Sequence, residues 1–161
     1  IDIQSEPQKG TSFRVILDLP IAEKVSSEFI LPEMQILIAD DDEIFLESVC
    51  NTFNSIGVRA DTVVSGQQAI EMAGRKAENG EEYGAVFIGW KQQGENMLKT
   101  IREIRRCIGN TTPIIIISDD DLSEIEKTAR KSGADGFIDK LLFPSTLYYK
   151  INELLHLRKG A

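Results

Sequence analysis

Eight residues, Gln35–Asp42 (QILIADDD), constrain the fold of this chain more than any other stretch. Ile36, Leu37, Ile38 and Ala39 form an unbroken apolar run that ends in Asp40, Asp41 and Asp42, and an amphipathic segment begins at once. An apolar run without alternation marks a strand covered on both faces, as in a parallel sheet flanked by helices. Carboxylates at the carboxyl end of such a strand lie where open α/β sheets bind their ligands. The stretch therefore predicts an α/β fold with an acidic group at the edge of its sheet.

The chain downstream repeats the same strand–helix rhythm. The strand Gln35–Ala39 leads to a helix from about Glu43 to Ile56, with Leu46, Val49, Phe53 and Ile56 on its inner face. Gly57 ends that helix, and Val58–Val64 reads as the second strand. Ser65-Gly-Gln-Gln68 is a capping-box pattern that opens a helix burying Ala69, Ile70 and Ala73. Next come a strand at Ala85–Gly89 and a helix from Glu95 to Ile108 that turns Met97, Ile101, Ile104 and Ile108 inward. Pro113 introduces a second fully apolar strand, IIIIS, and Asp121-Leu-Ser-Glu124 caps a helix with Leu122, Ile125 and Ala129 inward. Gly133 stops it, Gly136–Ile138 is a short strand, and a last helix from Ser145 to Leu157 buries Leu147, Ile151, Leu154 and Leu155. Strands alternating with helices in this way predict a parallel sheet with helices on both faces.

Residues 1–20 follow a different period. Ile1 and Ile3, then Phe13, Val15, Leu17 and Leu19, alternate with mostly polar residues around an EPQKG turn, which predicts a β-hairpin. A lone hairpin is marginal in water, so it needs a covering surface from elsewhere. Residues 21–33, bounded by prolines and without a sustained period, read as a linker, and residues 34–158 as the α/β domain. The chain opens on Ile rather than Met, which suggests a piece of something longer, and it carries no signal-peptide pattern.

Charge narrows the partners. With 18 basic against 26 acidic residues and a net charge of −8, nucleic acid and anionic membranes are poor candidates as main partners. No window approaches the roughly 18 apolar residues a membrane span needs. Cys50 and Cys107 each fall inside a predicted helix with no CxxC pattern, and they read as reduced core thiols. The sole histidine, His156, reads as a surface residue of the last helix.

The residues that end the strands would converge at the carboxyl edge of the sheet: Asp40 and Asp41, Gly89, Ser118 and Lys140. Each alone is ordinary, since Asp and Ser after a strand usually serve as caps and a lone Lys is usually a solvated charge. Together, and with the motifs ILIADDDE, PIIIIS and GADGFIDK, they make Met34–Leu157 resemble the receiver domain of bacterial two-component response regulators. The resemblance implies a flavodoxin-like (βα)5 fold, its five-stranded parallel sheet in the order 2-1-3-4-5 and the hairpin appended at the N-terminus. It also implies roles. Asp40 and Asp41 would be the Mg²⁺-holding acidic pair, Ser118 the switch hydroxyl, Phe137 the switch aromatic and Lys140 the phosphate-contacting amine.

Three positions and one loop depart from that family's pattern. Gly89 stands where the family has its phosphoacceptor aspartate, and the following loop, Trp90-Lys91-Gln92-Gln93-Gly94, is a few residues short. Leu141 replaces the usual proline after the lysine, and Asp119 replaces a small residue after Ser118. Glycine has no nucleophilic oxygen, so no acyl phosphate forms there. Mg²⁺ prefers a near-octahedral set of oxygens, and one carboxylate is missing, so Asp40 and Asp41 would hold it weakly at best. Without a metal the acidic pair needs a cation, and Lys140, or Lys91 nearby, is the expected partner. No other cofactor is expected.

The favoured expectation is therefore a pseudo-receiver that signals by protein–protein contact without Asp phosphorylation. The alternative is a working receiver with an unorthodox acceptor among Asp119, Asp120 and Asp121, although these read first as caps of the fourth helix. A flavodoxin-like cofactor-binding enzyme would need a glycine- or hydroxyl-rich phosphate loop after the first strand, where this chain has three aspartates.

IDIQSEPQKGTSFRVILDLP resembles the final hairpin of a histidine-kinase ATPase domain, with its SEPGKGTxF turn. The order of the two matches resembles a bacterial hybrid sensor histidine kinase. That implies a cytoplasmic module whose parent kinase is anchored in the inner membrane. In that family the ATP-binding boxes lie upstream, so this piece is expected neither to bind ATP nor to be an enzyme. The implied partners are the other domains of the parent kinase, a second receiver or a phosphotransfer domain, with homodimerisation left open. Receivers commonly dock through the fourth helix, fifth strand and fifth helix, and here Phe143, Leu147, Tyr148 and Tyr149 lie near that face.

Overall fold

Strand β3 (Gln35–Ala39) lies inside a parallel sheet, with β4 (Arg59–Val63) on one side and β5 (Ala85–Gly89) on the other. β6 (Ile114–Ser118) and β7 (Gly136–Asp139) extend it, for a strand order β4-β3-β5-β6-β7. This is the 2-1-3-4-5 order expected from the sequence. The computed structural model describes residues 1–18, 31–89, 95–119 and 123–159. The linker expected at 21–33 therefore lies mostly outside the described residues, as do Trp90, Lys91, Asp120, Asp121 and Leu122, and the side chains of Ile125 and His156.

The apolar runs divide their side chains between the two faces of the sheet. Ile36 and Ile38 of β3 join Phe87, Ile115 and Ile117 against α1 (Glu43–Ser55) and α5 (Pro144–Lys159). Leu37 and Ala39 join Val86, Ile88, Ile114 and Ile116 against α2 (Gly66–Glu78), α3 (Glu95–Ile108) and α4 (Ser123–Ser132). Each fully buried Ile or Leu contributes roughly 1.5–3 kcal/mol by leaving water, which is why an unalternated run is stable only between two helical layers. On the first face, Phe53 of α1 packs edge-on to Phe87, with centroids 5.1 Å apart.

Two helix starts carry side-chain caps, and the second is the expected capping box. Asp42 accepts from the Phe45 amide at 3.0 Å, and Ser65 accepts from the Gln68 amide at 3.3 Å. Gln68 returns the contact by accepting from the Val64 amide at 3.1 Å. At the other end of α1, Gly57 takes a positive φ of 80°, which glycine adopts without strain. Close packing of α2 on α3 relies on Gly66, whose missing Cβ leaves room for the Thr100 side chain.

One expectation is corrected. Cys50 is half-buried, but Cys107 is exposed, so the second thiol is not a core residue. The buried stripe of α3 runs through Ile101 and Ile104, and position 107 falls beside it. Cys107 instead lines a cavity of about 330 Å³ with Ala73, Lys76 and Tyr83.

Two polar clusters tie the layers together. Arg105 of α3 donates to the carbonyls of Gly109, Thr112 and Gly133 and pairs with Asp135 at 2.6 Å. Asp135 in turn accepts from the Ile114 amide at 2.7 Å. Near the start of β3, Gln35 and Tyr83 both donate to Asp61, at 2.9 and 2.7 Å, and Lys76 donates to Gln35 at 2.6 Å.

The hairpin forms as expected from β1 (Asp2–Glu6) and β2 (Gly10–Arg14), with Ile3 opposite Phe13 and Ser5 opposite Thr11. The Lys9 amide donates to the Glu6 carbonyl at 3.0 Å, and Gly10 supplies a φ of 102° at the turn. All its strand residues are exposed, including Ile3 and Phe13.

Candidate functional site

At the carboxyl edge of the sheet, the chain leaves β3 at Asp40, whose amide donates to the Val63 carbonyl at 3.1 Å. The Asp40 side chain is nearly sealed, with 3% of its surface exposed. Its Oδ1 accepts from the Asp42 amide at 2.9 Å. Lys140, which follows β7, brings its Nζ to 3.3 Å from Oδ1 and 3.2 Å from Oδ2 of the same carboxylate. A buried carboxylate needs such partners, because the desolvation cost of an unpaired charge is several kcal/mol.

The lysine has further company. Asp42 Oδ2 lies 3.9 Å from Lys140 Nζ, and the ammonium sits over the Phe45 ring at 4.5 Å from its centroid. Lys140 also ties its backbone to the site, its amide donating to the Ser118 carbonyl at 3.1 Å. Ser118 itself is buried at the end of β6.

Gly89 completes the edge. An ideal Cβ built there would fall inside contact distance of the Asp40 carboxylate, its Oδ2 foremost. Asp40 therefore occupies the space that a side chain at position 89 would need.

Asp40, Asp42, Gly89, Ser118 and Lys140 are thus brought together. Asp41, named in the sequence as the second member of the acidic pair, is exposed. Phe137 of β7 is half-buried beneath Arg130, whose guanidinium carbon lies 5.0 Å from its centroid. Asp119 is exposed just past β6, and Lys91 lies outside the described residues. Sequence reasoning gave Asp42 no part in the site and passed over Phe45. Both could have been found from the helical register, since the capping residue and the residue three further on share the turn that faces the β7–α5 loop.

The donor set does not suit Mg²⁺. Both Asp40 oxygens face the ammonium, Gly89 offers no side-chain oxygen, and the described residues contain no group of three or more acidic, Cys or His side chains able to hold a metal.

Known proteins share this architecture. A receiver domain protein from Methanospirillum hungatei aligns with a TM-score of 0.66 at 21% identity, covering 80% of this chain and 98% of that one. The receiver domain of a Pseudomonas aeruginosa sensor histidine kinase, solved with magnesium in its active-site cleft, aligns at 0.65 and 21% identity over 78% and 99% of the two chains. In sequence, the osmosensing histidine protein kinase SLN1 of Saccharomyces cerevisiae is 25% identical over 108 residues, 66% of this chain. The chain spans about 9% of that protein's length. Residues 36–152 match the response regulator receiver domain family, a span that begins inside β3 and ends in α5 and so takes in the whole sheet and its edge. The chain belongs to the response regulator receiver domain family.

Proposed function

We propose that this domain is a pseudo-receiver: a two-component receiver that works through protein contacts and takes no phosphoryl group at the end of β5. The observation that carries this reading is the Asp40 carboxylate, which fills the space beside Gly89 and is held there by Lys140. A receiver site has to expose a carboxylate nucleophile to a phosphoryl donor, and here the nucleophile's position has neither an oxygen nor room for one. The lysine that would contact a phosphoryl group is already paired, and the acidic pair is split between a sealed Asp40 and an exposed Asp41.

In this reading the ion pair holds the domain in one fixed conformation, and the domain serves other two-component modules as a docking partner. The likeness to a histidine protein kinase supports a kinase as the parent protein. The hairpin at 1–20 is then the end of an ATPase domain, 21–33 the linker, and the setting cytoplasmic. No helix among the described residues is long and apolar enough to cross a membrane. Of the four residues named for that face, Phe143 and Tyr149 are exposed, Tyr148 is half-buried and Leu147 is buried.

Intact-mass measurement after incubation with Mg²⁺ and a small phosphodonor such as acetyl phosphate tests the proposal. No adduct is expected. A hydroxylamine-sensitive phosphoryl adduct would overturn it and point to another aspartate as the acceptor.

A further inference from the structure

We infer that the outer faces of α3 and α4 together form a docking surface for an acidic helix of a partner protein. Seven of the 18 basic residues lie between Lys99 and Lys131, although the whole chain carries a net charge of −8. On α3, Lys99, Arg102 and Arg106 recur at i, i+3 and i+7 and are exposed, opposite the buried Ile101 and Ile104. On α4, Lys127 and Lys131 stand one turn apart and are exposed, while Ala129 is buried. Arg102 reaches across to donate to Ser132 Oγ at 3.3 Å, so the two rows adjoin.

Pairing within the face is incomplete. Arg106 is held by Glu103 and Arg130 by Glu126, each at 2.7 Å. Arg102, Lys127 and Lys131 have no carboxylate within salt-bridge distance among the described residues. Helix C-termini favour basic residues, which accounts for Arg105, Arg106, Arg130 and Lys131, each in a last turn. It does not account for Lys99, Arg102 and Lys127, which lie further from those ends.

Charge complementarity selects the occupant. The exposed cations of α3 and α4 adjoin as two parallel-running sets on neighbouring helices, so a ligand carrying a row of carboxylates is the complementary occupant. Carboxylates at i and i+4 on a helix laid along this face would match the one-turn spacing of Lys127 and Lys131. Nucleic acid fits less well. Neither α3 nor α4 carries an aromatic residue on which a base could stack. This surface is separate from the carboxyl-edge site, and the inference holds whether or not the domain accepts phosphoryl.

The test is a titration of the isotope-labelled 161-residue chain, followed by amide NMR, with a helical peptide bearing Glu at i, i+4 repeats. A matched Gln peptide and an oligothymidylate of equal charge are the controls. Shifts confined to α3 and α4, produced by the Glu peptide alone and lost at about 0.5 M salt, are expected. The triple variant Arg102→Gln, Lys127→Gln, Lys131→Gln should weaken binding roughly tenfold, while Lys127→Arg with Lys131→Arg should keep it. Absent shifts, shifts elsewhere, equal binding by either control ligand, or unchanged binding in the triple variant would each overturn the inference.

Discussion

At Gly89 the absence of a side chain is a packing requirement as well as a chemical one. A methyl group there meets the Asp40 carboxylate, which Lys140 and the Asp42 amide hold in place. Gly89→Ala is expected to cost about 1–3 kcal/mol in urea denaturation, the usual range for overpacking a tight site. Combined with Asp40→Ala the cost should be less than additive, because the second change removes the obstacle, and a double-mutant cycle measures that coupling. For the same reason, Gly89→Asp alone should leave Mg²⁺ titrations flat. Tyr83 offers a second prediction. Burial, and then the hydrogen bond to Asp61 and the charge of that carboxylate, raise the pKa of its phenol well above the ordinary value. A group whose folded pKa is raised contributes stability fully below its unfolded pKa, about 10 for tyrosine, and loses it as pH rises beyond that. Stability should therefore fall progressively as pH rises above about 10, and Tyr83→Phe should flatten that fall while costing about 1 kcal/mol at neutral pH.

Among the elements, α3 is anchored through Arg105. Arg105 satisfies three backbone carbonyls at the ends of α3 and α4 and at the entry to β6, and it neutralises Asp135. Arg105→Ala would remove a donor from each of those carbonyls and the cation beside a half-buried carboxylate, at an expected cost of about 2–4 kcal/mol. Hydrogen exchange should show the loss locally, in faster exchange at the Ile114 amide and the α4–β7 turn. The register of β3 explains why its two faces differ in tolerance. Ile36 and Ile38 lie beneath α1 and α5, whereas Leu37 and Ala39 lie beneath α2, α3 and α4.

At the scale of the molecule, the hairpin and the receiver domain differ in how they are held. The sheet is covered on both faces, whereas every strand residue of the hairpin is exposed. Removal of residues 1–18 is therefore expected to change the unfolding free energy of the remainder by less than about 0.5 kcal/mol, measured by urea denaturation of the two chains. A larger loss would mean that the apolar residues Ile3, Phe13, Val15 and Leu17 are covered by the receiver domain in solution. Charge is also distributed unevenly, with basic rows on α3 and α4 and acidic residues at the carboxyl edge of the sheet.

Much of this molecule was legible in the linear chain. The unalternated runs at Ile36 and Ile114 announced strands buried on both sides, and the stripes of α1 and α3 announced the helices between them. These signals are local, because period and capping depend on residues only a few positions apart. The receiver motifs added the sheet order and the set of residues at its edge. The exposure of Cys107 was not legible, since a small residue beside a helix stripe suits either environment. Nor was the fate of the three aspartates. Asp40, Asp41 and Asp42 are adjacent and chemically identical, yet one is sealed against Lys140, one faces solvent, and one caps α1. Only the meeting of β3, β5 and β7 decided which carboxylate turned inward. The space left by Gly89 and the ammonium of Lys140 are supplied by residues far away in the chain. The sequence by itself determined the receiver fold and put a glycine at the end of β5. Tertiary packing decided which carboxylate settles beside that glycine, because a buried carboxylate settles only where a cation and room for it coincide.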